Sequence, residues 1–258
     1  MAVSVDRVYQ TVLALANKEQ RGYITPQEFN LFANHAQNSI FEQYFYDLNQ
    51  FRRVPGNSTV TSDPRDIIEE KISLFKVYPS SHNANPGNND GDVILPSDLY
   101  RLESINVCYK SNPSTQGSYS AGSGNDVYKQ AEELNTKEIT LYDSSKLAAW
   151  STKRPVFVRH NPVSDRVKVF PHPTVGIDKI KVNYIKQPTA PNWTYLIVGN
   201  KALWNPGAAD ARDFELHSSE EKNLVIQILK LAGVSMKDLN VAQLAGAEEA
   251  KQIQQEKA

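Results

Sequence analysis

The chain has 258 residues and a mass of 28.9 kDa, with 40% hydrophobic, 22% charged and 9% aromatic side chains, enough for one large or two small packed domains. Its 28 Lys and Arg against 29 Asp and Glu leave a net charge of -1, which excludes a whole-molecule field able to hold nucleic acid or an acidic membrane surface. A single cysteine excludes an internal disulfide framework and a thiolate metal cluster, and with no export signal at the start and no run of about 18 apolar residues, neither a secreted nor a membrane-spanning chain is expected.

Val5, Val8, Val12, Leu13 and Leu15 share a helical stripe, and the polar stretch from Asn17 to Gly22 ends this first helix. Thr25-Pro26-Gln27-Glu28 then sets an N-cap hydroxyl, a proline at the first helical position and a glutamate at the third, the pattern that satisfies orphan amides at a helix start. From there Phe29, Phe32, Ala33, Ala36, Ile40, Phe41, Tyr44, Phe45, Leu48 and Phe51 recur at three- and four-residue steps. The second helix is therefore expected to run about 25 residues, or roughly 40 Å at about 1.5 Å per residue. Asp63-Pro64-Arg65-Asp66 repeats the start signal, and Ile67, Ile68, Ile72 and Phe75 predict a third, shorter helix. Residues 1–78 thus read as a helical part.

Residues 79–92 and 111–126 are rich in Ser, Asn and Gly with few apolar residues, and are expected as exposed loops. Around them lies a β-rich domain, 93–188, with strands predicted at Leu102–Tyr109, Lys137–Leu141, Pro155–Arg159, Arg166–Phe170 and Lys179–Ile185. Alternation in the last of these marks a sheet with one wet face, and the short spans predict antiparallel pairing. Residues 125–136 and 143–150 are each read as room for a short helix. The remainder, 189–258, reads as a connecting segment and C-terminal helices that pack on the N-terminal helices or on neighbours. Ser218-Ser219-Glu220-Glu221 is a second capping box ahead of Leu224, Val225, Ile228, Leu229 and Leu231, with Gly233 placed for a left-handed C-terminal cap. A final helix opens at Ser235 with Asp238; its sparse apolar residues Leu239, Ala242, Leu244, Ala245 and Ile253 bury little on their own chain, so Leu239, Ala242, Leu244 and Ile253 are candidates for an interface with a sister subunit or a docking platform.

Motifs for chemistry are weak. Asn17 to Glu28 has Gly22, Ile24 and Glu28 at calcium-loop positions, but Arg21 occupies a ligand position and only Glu19 brings a carboxylate to the first three. His35, His82, His160, His172 and His217 stand far apart, Cys108 reads as a small buried strand residue, and no Gly-rich phosphate loop or nucleophile elbow occurs. No metal, cofactor or catalytic residue is assigned, and the protein is not read as an enzyme. Charge is uneven, with -6 over 1–145, +7 over 146–188 and -2 over 189–258. Within the basic island Arg154, Arg159, Arg166, Lys168, Lys179, Lys181 and Lys186 fall on or beside proposed strands, and alternation puts Lys179 and Lys181 on one sheet face. They form either a solvated face balancing acidic neighbours or a surface that meets phosphates or an acidic patch of a partner without reading base sequence.

Gly22-Tyr23-Ile24-Thr25-Pro26-Gln27-Glu28-Phe29, Leu95 to Leu102, Tyr184-Ile185-Lys186-Gln187-Pro188 with Pro191-Asn192-Trp193, and Phe214-Glu215-Leu216-His217 follow an order that resembles virion proteins of tailed bacteriophages. The resemblance is to head-to-tail adaptor or tail tubular proteins of short-tailed phages, and more narrowly to ring proteins of crAss-like and marine phages. It implies a subunit of a homo-oligomeric ring, commonly twelvefold, that docks beneath the portal among neck and tail proteins and continues the channel through which DNA passes. The polar insertions at 79–92 and 111–126 depart from the compact adaptor pattern. The expected architecture is α+β: a bundle from N- and C-terminal helices with an antiparallel β domain between them, in the neck or tail of a virion. A monomeric capsid-decorating or host-surface-binding module, its Tyr-, Ser- and Gly-rich loops in contact, and a tail-associated hydrolase stay open as alternatives.

Overall fold

The computed structural model describes residues 2–18, 24–53, 62–78, 83–84, 91–109, 127–145, 147–159, 166–173, 178–199 and 201–235. Their elements, in chain order, begin with helices α1 (Val5–Lys18), α2 (Pro26–Arg53) and α3 (Ser62–Ser73). Short strands β1 (Lys76–Val77), β2 (Asn83–Ala84) and β3 (Asp92–Ile94) lead into the long β4 (Leu99–Cys108), then β5 (Lys129–Gln130) and β6 (Glu132–Glu133). Helix α4 (Ile139–Ser144) precedes β7 (Val156–Arg159), β8 (Arg166–Phe170) and β9 (Lys179–Lys186), and a hairpin of β10 (Tyr195–Val198) and β11 (Lys201–Trp204) precedes α5 (Glu221–Ser235). The fold is α+β, helical at both ends around a β region, and divides into two compact units, 1–74 with 188–258, and 75–187.

In the first unit α5 packs on α1 and α2, and α3 packs on α2. The predicted capping box forms at the start of α2: the Thr25 amide donates to Glu28 Oε2 at 3.0 Å and the Glu28 amide to Thr25 Oγ1 at 3.3 Å. From α2 the stripe Phe29, Ala33, Ala36, Gln37, Ile40, Phe41 and Tyr44 is buried. Helix α1 is capped from far along the chain, its Val5 amide donating to Asp213 Oδ1 at 2.9 Å, beside a Val3–Phe214 bridge. At the start of α5 the expected capping box is replaced. A 3-10 turn at Ser218–Glu220 leads in, His217 takes the N-cap, its Nδ1 accepting from the Ser219 amide, Glu221 pairs with Arg7 at 2.9 Å, and Glu220 is buried against Lys71. The helix also continues through Gly233, expected as its stop, because the surrounding residues Ile228 and Ala232 still face the core.

The second unit is a β-sandwich. One sheet has the order β1-β9-β4-β5 with β2 also on β9; the other has the order β3-β8-β7-β6. Val93, Phe157, Val167 and Val169 from the second sheet share one core with Ile105, Val107, Ile180, Val182 and Tyr184 from the first. A smaller cluster covers the far face of the second sheet, where Leu134, Val156 and Val158 meet Ile139, Tyr142, Trp150 and Phe170. Pairing is antiparallel throughout except between β6 and β7, which run parallel.

Local expectations fail where tertiary pairing overrides propensity. Residues 125–136, read as a short helix, supply β5 and β6, because the Ala131 amide bonds the Ile105 carbonyl at 2.8 Å and Ala131 fills the core. Lys137–Leu141, read as a strand, turns into α4, with the Tyr142 amide on the Glu138 carbonyl. The helix allowed at 143–150 reduces to the end of α4 and a turn. Asn83–Ala84, inside an expected loop, adds β2. Residues 111–126, most of 79–92, the break at 19–23, His82, His160 and the final helix after Ser235 lie outside the described residues.

Candidate interaction surfaces

The sandwich separates the basic residues that the chain carries close together. Lys179 and Lys181 alternate with the core residues Ile180 and Val182 and so share the outer face of the β4–β9 sheet. There the Lys181 ammonium lies 4.2 Å from the centroid of the Tyr128 ring. Arg166 and Lys168 alternate with Val167 and Val169 and lie on the outer face of the opposite sheet, where Asp92 stands across from Lys168. Arg159 Nε pairs with Glu133 Oε1 at 2.7 Å on the surface, and Arg154 closes an exposed turn onto Ser151. An acidic neighbour thus pairs with Arg159, Asp92 lies across from Lys168 in register, and no single face carries these six cations together.

Leu239, Ala242, Leu244 and Ile253 lie outside the described residues. Cys108 is buried at the end of β4, His35 is exposed on α2, and His172 follows Pro171 with its ring edge on Phe170 at 4.9 Å. Among the described residues no group of three or more His, Cys, Asp or Glu is placed to hold a metal ion, and no helix is long and apolar enough to cross a membrane. Two tyrosines have raised pKa values. Burial pushes the Tyr184 phenol up to about 12, aided by its bond to the Asp98 carboxylate at 3.1 Å, and burial with the nearby Asp178 charge raises Tyr109, which donates to the Pro171 carbonyl at 2.6 Å. Both phenols are structural donors.

The described surface has a feature the sequence reading missed. Residues 189–258 were expected as a connecting segment followed by helices, yet Tyr195–Trp204 forms a two-stranded hairpin that pairs with no other strand among the described residues. Its signal was present: Tyr195-Leu196-Ile197-Val198 and Lys201-Ala202-Leu203-Trp204 flank Gly199-Asn200, a two-residue turn sequence, and Gly199 adopts φ +54°. The inner face is held by aromatic contact, with Trp193 stacked 5.8 Å from both Tyr195 and Trp204. Trp193 itself is fixed by Tyr9 at 4.2 Å, by its indole N–H on Asp6 Oδ1 at 2.9 Å and by its amide on Asn30 Oδ1 at 2.9 Å. Beyond this anchor Leu196 is 57% exposed, Ile197 73%, Val198 59% and Leu203 51%. By cross-strand register Leu196, Val198, Leu203 and Lys201 share one face and Ile197 extends the other, so the hairpin is apolar on both sides and covered only near its base.

At the foot of the hairpin lies an open groove of about 630 Å³, lined by Gln27, Leu31 and Asn34 of α2 and by Pro191, Asp210 and Arg212 around the hairpin. Leu31 is 64% exposed there. No protein-family model matches the chain, and no curated protein matches it.

Proposed function

We propose that this chain is a non-enzymatic structural subunit of a phage head-to-tail connector, an adaptor or tail ring below the portal that extends the DNA channel. The observation that carries the reading is the hairpin Tyr195–Trp204, whose Leu196, Ile197, Val198 and Leu203 face solvent in the single chain. Contiguous exposed aliphatic surface of this kind marks an association site, and a closed ring covers such a patch once in every subunit. The motif order described above supplies the connector class, and a near-neutral net charge of -1 suits a channel wall that lets DNA slide.

Light scattering coupled to size exclusion, followed by electron microscopy, tests the proposal. The expected result is a closed annular oligomer, or capture of the chain by a phage portal. A stable monomer at high concentration with no portal binding would overturn it and favour the capsid-decorating or host-surface-binding module.

A further inference from the structure

The hairpin and the groove are two different surfaces of the same unit, and their exposed side chains are complementary in kind. The hairpin is a narrow knob: two four-residue strands, paired up to Val198 and Lys201, reach about 13 Å at roughly 3.3 Å per residue. Ile197 and Val198 lie at its tip, with Lys201 across from Val198. The groove is lined by the exposed Leu31 and by Pro191 on its apolar side, and by Gln27 and Asn34 among its polar residues. Among the described residues both strands pair only with each other, so each presents one edge of backbone N–H and C=O groups that polar side chains of a partner can receive. Charge is complementary as well. Lys201 and Asp210 are exposed, and neither has an ion-pair partner among the described residues. Arg212 also lines the groove, so Asp210 rather than a general negative field supplies the attraction. The tip does not enter its own groove, since Ile197 is 73% exposed and the aromatic stack at the base holds the hairpin out.

We infer that the occupant is a second copy of this chain: Ile197 and Val198 of one subunit seat on Leu31 in the groove of the next, with Lys201 against Asp210. A knob and a groove at different places on one chain make a head-to-tail contact, which repeats from subunit to subunit and closes a ring when the rotation allows. The inference rests on the ring reading above and adds to it which surfaces meet.

Paired cysteines test it in the full chain. Ile197→Cys and Leu31→Cys alter exposed positions, so folding is kept, and the parent with Cys108 alone serves as background. On mild oxidation the double variant is expected to give a ladder of disulfide-linked multimers on a non-reducing denaturing gel, whereas each single variant stops at dimer. Charge reversal gives an independent readout: Lys201→Glu and Asp210→Lys each weaken assembly about tenfold or more, and the two together restore it. If the wild-type chain is an annular oligomer but no ladder forms and reversal does not rescue, the contact is wrong and the ring reading stands. If the wild type is monomeric at every concentration, the ring reading fails and the contact with it.

Discussion

Gln37 lies in the apolar stripe of α2 at 0% exposure, yet both ends of its amide are used: Nε2 donates to the Thr189 carbonyl at 2.8 Å and Oε1 accepts from the Glu215 amide at 3.1 Å. It ties two returning chain segments to one helix, so Gln37→Ala leaves both backbone groups unsatisfied beside a cavity. The expected loss is about 2–4 kcal/mol, read from the urea midpoint. Lys71 and Glu220 pair at 2.6 Å with 17% and 4% of their side chains exposed, under the Tyr44 ring. Lys71→Met strands a buried carboxylate and is expected to cost about 3 kcal/mol, whereas Lys71→Met with Glu220→Leu recovers most of it; a double-mutant cycle measures the coupling. Tyr184 gives a pH prediction. Its phenol is raised to about 12 from an ordinary value near 10, so the folded state favours the neutral form. That contribution is fully present below about pH 10 and is lost as pH rises towards 12. Denaturant midpoints should fall across this window, and less steeply in Tyr184→Phe, with Tyr109 supplying the remaining slope.

Elements were legible where local chemistry closes on itself. The capping box at Thr25 and Glu28 forms as read, and the Thr25 amide holds the Glu28 carboxyl below its ordinary range. Strand β8 matches its predicted span, and β9 ends one residue beyond it, because alternation there reports a sheet with one face in the core. Strands β5 and β6 were not legible: Lys129 to Leu134 is a helix-favouring run, and only the waiting edge of β4 makes it extended. Nor was Gly91 legible as a special position. It holds φ +75° while its carbonyl accepts from the Val169 amide, and a Cβ there would lie 2.6 Å from the Val169 oxygen and from His172 Nδ1. Gly91→Ala is therefore expected to destabilise the sandwich by about 1–3 kcal/mol in thermal or denaturant unfolding.

At the scale of the whole molecule, the proposed assembly turns on surface that a single chain leaves wet. Hairpins of two strands are marginal alone, and this one carries aliphatic side chains on both faces. Ile197→Asp removes no core contact and should leave the unfolding midpoint within about 0.5 kcal/mol of wild type, while shifting the proposed oligomer to monomer in light scattering. A variant that stays assembled would place the subunit contact elsewhere. The basic island behaves differently at this scale, since the sandwich sends Lys179 and Lys181 to one outer face and Arg166 and Lys168 to the other.

Periodicity, caps and alternation in the chain determined the helical ends, the β middle, the start of α2, and β8 and β9, because each rests on contacts within a few residues or on one face meeting a core. Only the tertiary structure decided that the chain divides between 74 and 75 and again between 187 and 188, that Asp213 caps α1 and His217 leads α5, and that neighbouring cations part to opposite faces. Those outcomes depend on partners far away along the chain, and a local pattern holds no record of them. The hairpin falls between the two: its turn signal was written in Gly199-Asn200, but its significance lies in what fails to cover it.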